Sequence, residues 1–294
     1  MERRAFLCTA ALSALAAIST SPHLLGQRLS QRQPFLGRRR PQRGNTPKKI
    51  PIAVQLYSVH RLAARDLAGT LDEIAKMGYD GVEFAGIYGN DPKDVRKMLD
   101  NSGLKCAGTH TALRDVYDDQ FDKTAETHNI LGGKFIIIPI VPYSNQNALH
   151  NVDTNKQLAE RFNKMAEKAK PYGLFVGTHG GEGTLVDGIP ALERFFDATV
   201  PEVVMQLDLA YFMGNGGDPY KMIEKYPGRS KTIHLKESGR GNPIIGSGNV
   251  DWDRIFGLCE TVGGIEWYVA EDEGSADDSA RIAACIKALR AMGK

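Results

Sequence analysis

Cysteine is scarce in this chain of 294 residues: there are four, Cys8, Cys106, Cys259 and Cys285. No two stand in CxxC spacing, which excludes a disulfide framework and a zinc–thiolate centre. Each reads as a small buried hydrophobe. No GxGxxG follows the first apolar run of the body, which argues against a dinucleotide-binding, doubly wound sheet. No apolar run reaches the ~20 residues that a membrane-crossing helix needs. Acid is missing from the N-terminal region, with none between Glu2 and Asp66. Of the 37 Lys and Arg, 10 lie in residues 1–49, so residues 50–294 carry 27 bases against 34 acids, a net of −7. The formal +2 of the whole chain therefore hides an acidic body. Such a body is unsuited to gripping a phosphate backbone, and no nucleic-acid partner is expected.

The first 20 residues, MERRAFLCTAALSALAAIST, place Arg3 and Arg4 before an Ala/Leu-rich run of about a dozen residues. That is the length of a signal-peptide core and too short for a stable membrane span. Arg-Arg-Ala-Phe-Leu resembles a twin-arginine export signal. An ordinary secretory signal with two chance arginines is the plainer alternative. Either way export is expected, to the periplasm or the medium. Cys8 precedes the apolar run, which argues against a lipid-anchored cysteine. Residues 21–49 are rich in Arg, Gln and Pro and read as a disordered basic linker, a solvated tether. Twin-arginine export moves a folded domain, which suits one that must take up a metal first.

From residue 50 a short apolar run alternates with a longer amphipathic stretch. The apolar runs are IAVQLY (52–57), DGVEFA (80–85), LKCAGT (104–109), KFIIIPI (134–140), GLFVGT (173–178), EVVMQLD (202–208), KTIHLK (231–236) and EWYVAE (266–271). Several are apolar throughout, as strands covered on both faces are. Helices are expected at 66–78, 91–103, 155–173, 251–264 and 275–293, with weaker candidates near 117–131, 187–198 and 218–226. Asp91, Pro92 and Gly103 mark the start and stop of the second one. Eight strand–helix units in about 240 residues predict a (β/α)8 TIM barrel over residues 50–294. The alternation excludes a sandwich or a helical bundle.

Barrel active sites form at the C-terminal ends of the strands. Those ends carry Gln55 and Tyr57, Glu83, His110, His179 with Glu182 beyond it, Asp208 with Tyr211 beyond it, His234 with Lys236, and Glu271. Carboxylates crowded on one rim repel unless a cation holds them. Mixed Asp/Glu/His ligation suits one divalent ion among Mn, Mg, Co, Fe and Zn. Taken singly, His110 reads as readily as a hydrogen-bonded structural residue, and Glu83 as a salt-bridge partner under the rim. Asp272, Glu273 and Asp277 read as a solvated acidic loop. Asp208, His234 and Glu271 stand apart because they end three successive strands.

Six stretches in order, IAVQLYSV, GTLDEIAKMGYDGVEFAG, LKCAGTH, MQLDLAYF, IHLKE and GIEWYVAEDEG, resemble the signatures of the sugar phosphate isomerase/epimerase family, the xylose isomerase-like TIM barrels. The resemblance covers residues 50–294. It implies metal ligands Asp208, His234 and Glu271, with His179 in the fourth place. It also implies substrate contacts at Arg240, after the seventh-strand histidine, and after Asp208, where Tyr211 replaces the histidine of the ketose 3-epimerases. Those epimerases carry a ligand-and-base glutamate where this chain has His179. Inosose dehydratase-like relatives carry histidine there, and the change favours one-base chemistry.

The implied chemistry is proton abstraction beside a carbonyl. Glu271 is the expected ligand and base, with Glu182 or Glu83 as second acid or base. His110, Tyr211, Lys236, Arg240 and Gln55 are the expected substrate contacts. A metal-dependent sugar isomerase or epimerase is the leading expectation. A dehydratase or lyase on keto-sugars or keto-glycosides comes second, and a non-catalytic carbohydrate-binding barrel third. The expected partner is a small carbohydrate. The sequence leaves a homo-oligomer open.

Overall fold

The computed structural model describes residues 49–117, 119–139, 149–273 and 279–294. The signal (1–20) and linker (21–49) readings lie outside these residues, Lys49 excepted, as does Asp277.

Eight parallel strands build the barrel. They are β1 (Ile52–Gln55), β2 (Gly81–Phe84), β3 (Lys105–His110), β4 (Phe135–Pro139), β5 (Phe175–Gly180), β8 (Val204–Leu207), β9 (Thr232–Leu235) and β10 (Trp267–Ala270). Between β5 and β8 lies a small hairpin of β6 (Leu185–Val186) and β7 (Ile189–Pro190). The hydrogen-bonded order is β8-β5-β4-β3-β2-β1-β10-β9. A parallel bridge between Asp208 and His234 spans the remaining seam between β8 and β9. The result is the nearly closed (β/α)8 barrel that the alternation implied, and its seam is joined at two expected site residues.

The helices are α1 (His60–Arg65), α2 (Leu67–Met77), α3 (Pro92–Ser102), α4 (Phe121–Leu131), α5 (Val152–Ala169), α6 (Ala191–Asp197), α7 (Leu209–Gly214), α8 (Pro219–Lys225), α9 (Trp252–Leu258) and α10 (Ser279–Ala291). Their ends follow local chemistry. Asp66 accepts from the Gly69 N–H at 2.9 Å, and Asp91 from the Lys93 N–H at 2.8 Å. Gly78 and Gly103 then close α2 and α3 with left-handed backbone. Three elements were not anticipated: α1, α7 and the hairpin. The helix expected from 187 begins only at Ala191, because Asp187-Gly188 makes a turn with φ of +50° and +79°, the geometry of a two-residue hairpin.

Strand alternation sorts the barrel interior into levels. Phe135, Ile137 and Val204 form one apolar cluster inside it, with Phe175 and Trp267 against them. Ala53, Ala107 and Val269 form another. Two residues further along the same strands come Gln55, Gln206 and Glu271. An apolar plug thus supports a polar upper layer, and the larger core lies between sheet and helices.

His128 of α4 is buried against β3. Its Nδ1–H donates to the Thr124 carbonyl at 2.8 Å, and its Nε2 accepts from the Thr109 hydroxyl at 2.5 Å. Burial pushes its pKa from 6.5 down to about 4. The unfolded chain therefore takes up the proton first. The stability from this neutral imidazole is complete above about pH 6.5 and is lost as the pH falls toward 4, by up to roughly 3 kcal/mol. Urea unfolding of wild type and His128→Gln should show the gap between them shrinking from pH 7 to pH 4; parallel profiles would contradict the assignment.

Candidate functional site

His234, the third residue of β9, is fully buried, and both its ring nitrogens are engaged. Its Nε2 lies 2.7 Å from Glu83 Oε2 and its Nδ1 lies 3.1 Å from Glu271 Oε2. Burial acts to lower its pKa, but the Glu271 and Glu83 carboxylates override that and push it up to about 10. The converse holds for the carboxylates. Burial raises Glu83, yet the His110 and His234 imidazoles hold it well below the usual range. Burial likewise raises Glu271, and His234, Lys236 and His179 pull it far down.

Glu83 is the hub of a lower layer. Gln55 Nε2 donates to it at 2.8 Å and Gln206 Nε2 at 2.6 Å, while His110 Nε2 stands 3.2 Å away. A register shift between β2 and β3 at Val82/Glu83 brings Gly108 opposite Glu83. A Cβ at Gly108 would sit 3.2 Å from the Glu83 carboxylate and 3.1 Å from the Phe135 carbonyl. Glycine therefore leaves the room that this carboxylate occupies.

Above Glu83 lies a four-residue group. The ligand-type atoms of His179, Asp208, His234 and Glu271 all fall within 4.8 Å of one another. Asp208 caps α7 with one oxygen, accepting from the Tyr211 N–H at 2.8 Å. Its other oxygen, Oδ2, and His179 Nε2 are buried 3.6 Å apart, without a hydrogen-bond partner among the described residues. Orphaned polar atoms at this depth are costly. Four donors bound to one ion at about 2.0–2.2 Å must lie within roughly 4.4 Å of each other, so a slight contraction would complete the set. Two imidazoles and two carboxylates fit a borderline or hard divalent ion.

Beside this group opens a cavity of about 470 Å³, lined among others by His110, His179, Glu182, Tyr211, Glu271 and Glu273. Glu182 Oε1 lies 3.2 Å from His150 Nε2. Lys236 is nearly buried, 3.6 Å from Glu271 Oε2 and 3.9 Å from Asp208 Oδ2, and it pairs with Glu273.

The expected site residues thus separate. His179, Asp208, His234 and Glu271 come together. His110, Tyr211 and Glu182 line the cavity. Gln55 and Glu83, expected as substrate contact and acid or base, lie fully buried beneath it, bonded to each other and to the imidazoles. Arg240 is exposed and outside the lining. Asp272, expected in a solvated loop, is buried. It receives Arg281 on both oxygens, at 2.7 and 2.8 Å, and its N–H donates to Ser58 Oγ.

Sequence reasoning missed Gln206 and Glu237. The Glu237 carboxylate, just past β9, accepts four N–H groups: Ser238 at 3.0 Å, Gly246 at 2.7 Å, Val250 at 3.0 Å and Trp252 Nε1 at 2.8 Å. It ties down the loop between β9 and α9. Gly248 passes so close that a Cβ there would lie 2.3 Å from the Ser238 carbonyl. Gly246-Ser247-Gly248 is a local turn signal, but it does not point to the carboxylate that holds the turn.

A family model described as xylose isomerase-like TIM barrel matches residues 71–292, and the chain belongs to that family. An inosose dehydratase of Lacticaseibacillus casei is 25% identical over 240 residues, 69% of this chain and 80% of that protein. A sugar phosphate isomerase/epimerase structure from Parabacteroides distasonis superimposes with a TM-score of 0.66 at 25% identity, covering 84% of this chain and 94% of that one. A 3-keto-D-glucoside 4-epimerase from E. coli shares the fold, with a TM-score of 0.61 at 16% identity and coverage of 83% and 99%. Its relatives are therefore enzymes of sugar dehydration, epimerisation and isomerisation.

Glu237→Ala should leave four donors without an acceptor, three on the loop backbone and one on the Trp252 ring, and cost about 3 kcal/mol or more. Glu237→Gln, which keeps an acceptor oxygen, should cost less. Denaturant titration reads both; equal stability of wild type and Glu237→Ala would refute this account of the loop.

Proposed function

We propose that the chain is a divalent-metal-dependent lyase on keto-carbohydrates, which removes the proton beside a carbonyl and expels the oxygen substituent on the next carbon. The observation that carries this reading is the asymmetry across the cavity. Glu271 stands on one side. His179 occupies the corresponding place at the end of β5, and Glu182 lies further out on the cavity wall. An epimerase that exchanges protons on two faces needs two matched acid–base groups. An elimination needs one base and one acid in different places. The inosose dehydratase matches support the same outcome.

In this mechanism His179, Asp208, His234 and Glu271 would hold the ion. A divalent cation bound there supplies Lewis acidity, polarising the substrate carbonyl and offsetting the charge that develops on its oxygen. The second oxygen of Glu271 takes the proton from the carbon beside the carbonyl. Those electrons are first held as an enolate, from which the proton can return, and then form the new carbon–carbon double bond as the neighbouring carbon–oxygen bond breaks. Glu182, in its protonated form, gives its proton to the departing oxygen, released as water or as an alcohol. Lys236 sits against Glu271 and Asp208 and balances their charge. Glu83 is a positioning residue: by accepting from His234 Nε2–H it selects the tautomer whose Nδ1 would be free to ligate. Arg3, Arg4 and the apolar run after them support an activity outside the cytoplasm.

Return of the proton instead of loss of the substituent gives an isomerase or epimerase. The likeness to the Parabacteroides structure favours that second reading.

Metal-loaded protein with inosose or 3-ketoglucose in D₂O separates the two. Elimination predicts an unsaturated product, with deuterium beside the carbonyl of the recovered substrate wherever the enolate is reprotonated before the substituent leaves. Glu182→Gln should keep the exchange but lose product at least 100-fold, and Glu271→Gln should lose both. Exchange with isomerised sugar and no unsaturated product would overturn the lyase reading.

A further inference from the structure

The cavity has two unlike ends. Its inner wall carries His110, His179 and Glu271. Its mouth carries two tyrosines, Tyr57 and Tyr211, at 50% and 45% exposure. They follow β1 and β8, with β9 and β10 between them in the closed strand order. Isolated exposed aromatics are ordinary on a protein surface; two converging on one opening are not.

Each ring is braced. The Tyr57 ring stacks on His60 with centroids 4.9 Å apart and planes 16° off parallel, and His60 Nδ1 donates to the Tyr57 carbonyl at 2.9 Å. Tyr211 takes the Lys236 ammonium 4.1 Å from its ring centroid, and its hydroxyl donates to Glu273 at 2.7 Å. Each backbone is also tied to the buried layer. The Tyr57 N–H donates at 3.1 Å to Gln55, the same side chain that grips Glu83. The Tyr211 N–H donates at 2.8 Å to Asp208. The offset between the rings and the four-residue group is therefore set by hydrogen bonds, not left to loop motion.

A keto-sugar with its carbonyl against Glu271 and His179 is recognised by the polar inner wall. The tyrosines face whatever is attached to it further out. Fixed, half-bare phenol rings suit the C–H face of a pyranose, which buries apolar surface against an aromatic plane. We infer that the substrate is a glycoside, a keto-sugar joined to a second pyranose ring that packs against Tyr57 and Tyr211. This rests on the cavity being the substrate site, as proposed above, but not on which product leaves it.

The test is equilibrium binding of unoxidised sugars to the metal-loaded full chain. Glucose is compared by calorimetry with sophorose, maltose, cellobiose and gentiobiose. At least one disaccharide should bind tenfold or more tighter than glucose, an expectation at the scale of two aromatic contacts. Tyr57→Ala and Tyr211→Ala should each shrink that preference at unchanged metal content, whereas Tyr57→Phe and Tyr211→Phe should keep it. Glucose binding as tightly as every disaccharide, no measurable disaccharide binding, or a preference surviving both alanine variants would overturn the inference. So would its equal loss in the phenylalanine variants. If the preference holds while no keto-sugar is turned over, the elimination reading fails and this one stands.

Discussion

Three carboxylates, Glu83, Asp208 and Glu271, are buried around one imidazole, His234. The rest of the upper barrel answers to that crowding. Anions removed from water are tolerated only when paired and hydrogen-bonded. Gln55, Gln206 and His110 surround Glu83, Lys236 approaches Asp208 and Glu271, and the Tyr211 N–H caps Asp208. After all of that, Asp208 Oδ2 and His179 Nε2 still have no hydrogen-bond partner among the described residues. A divalent cation held by the four side chains would satisfy both atoms and both ligand carboxylates at once.

The barrel's architecture and its chemistry are joined at the same place. The seam between β8 and β9 is bridged by the backbones of Asp208 and His234, two of the four residues whose ligand-type atoms gather above Glu83. The lower layer works as a clamp. A glutamine on each side of Glu83 fixes its carboxylate, and that carboxylate fixes the ring of His234. Glu237 does the same for the loop after β9, gathering three backbone N–H groups and the Trp252 indole. The site is thus built from charged acceptors that organise the groups around them, with the tyrosine-rimmed cavity as the open face.

Much of this was legible in the sequence because it obeys short-range rules. Alternating apolar and amphipathic stretches pointed to the eight strands, and Asp91 and Gly103 to the ends of one helix. Motif positions brought His179, Asp208, His234 and Glu271 to one rim. What stayed hidden depends on contacts far apart in the chain. Glu83 looks like any strand-end acid until the β2–β3 register shift and Gly108 show that it points beneath the cavity. Gln206 reads as a neutral strand residue, yet it reaches Glu83, 123 positions away. Asp272 looks solvated beside Glu273, and only Arg281 of α10 shows otherwise. Arg240 matched a position in a motif, but the turn that follows β9 leaves it exposed. The hairpin was the local exception: Asp187-Gly188 is a turn signal, overlooked against the helical pattern that follows it.

The central claim is that His179, Asp208, His234 and Glu271 share one ion. X-ray absorption on the cobalt-loaded protein tests it most directly, because imidazole rings leave a distinctive outer-shell signal. The account predicts one cobalt per chain, bound by two imidazoles and two carboxylates, with one imidazole lost in His179→Ala. A spectrum free of imidazole scattering, or one that His179→Ala leaves unchanged, would contradict it.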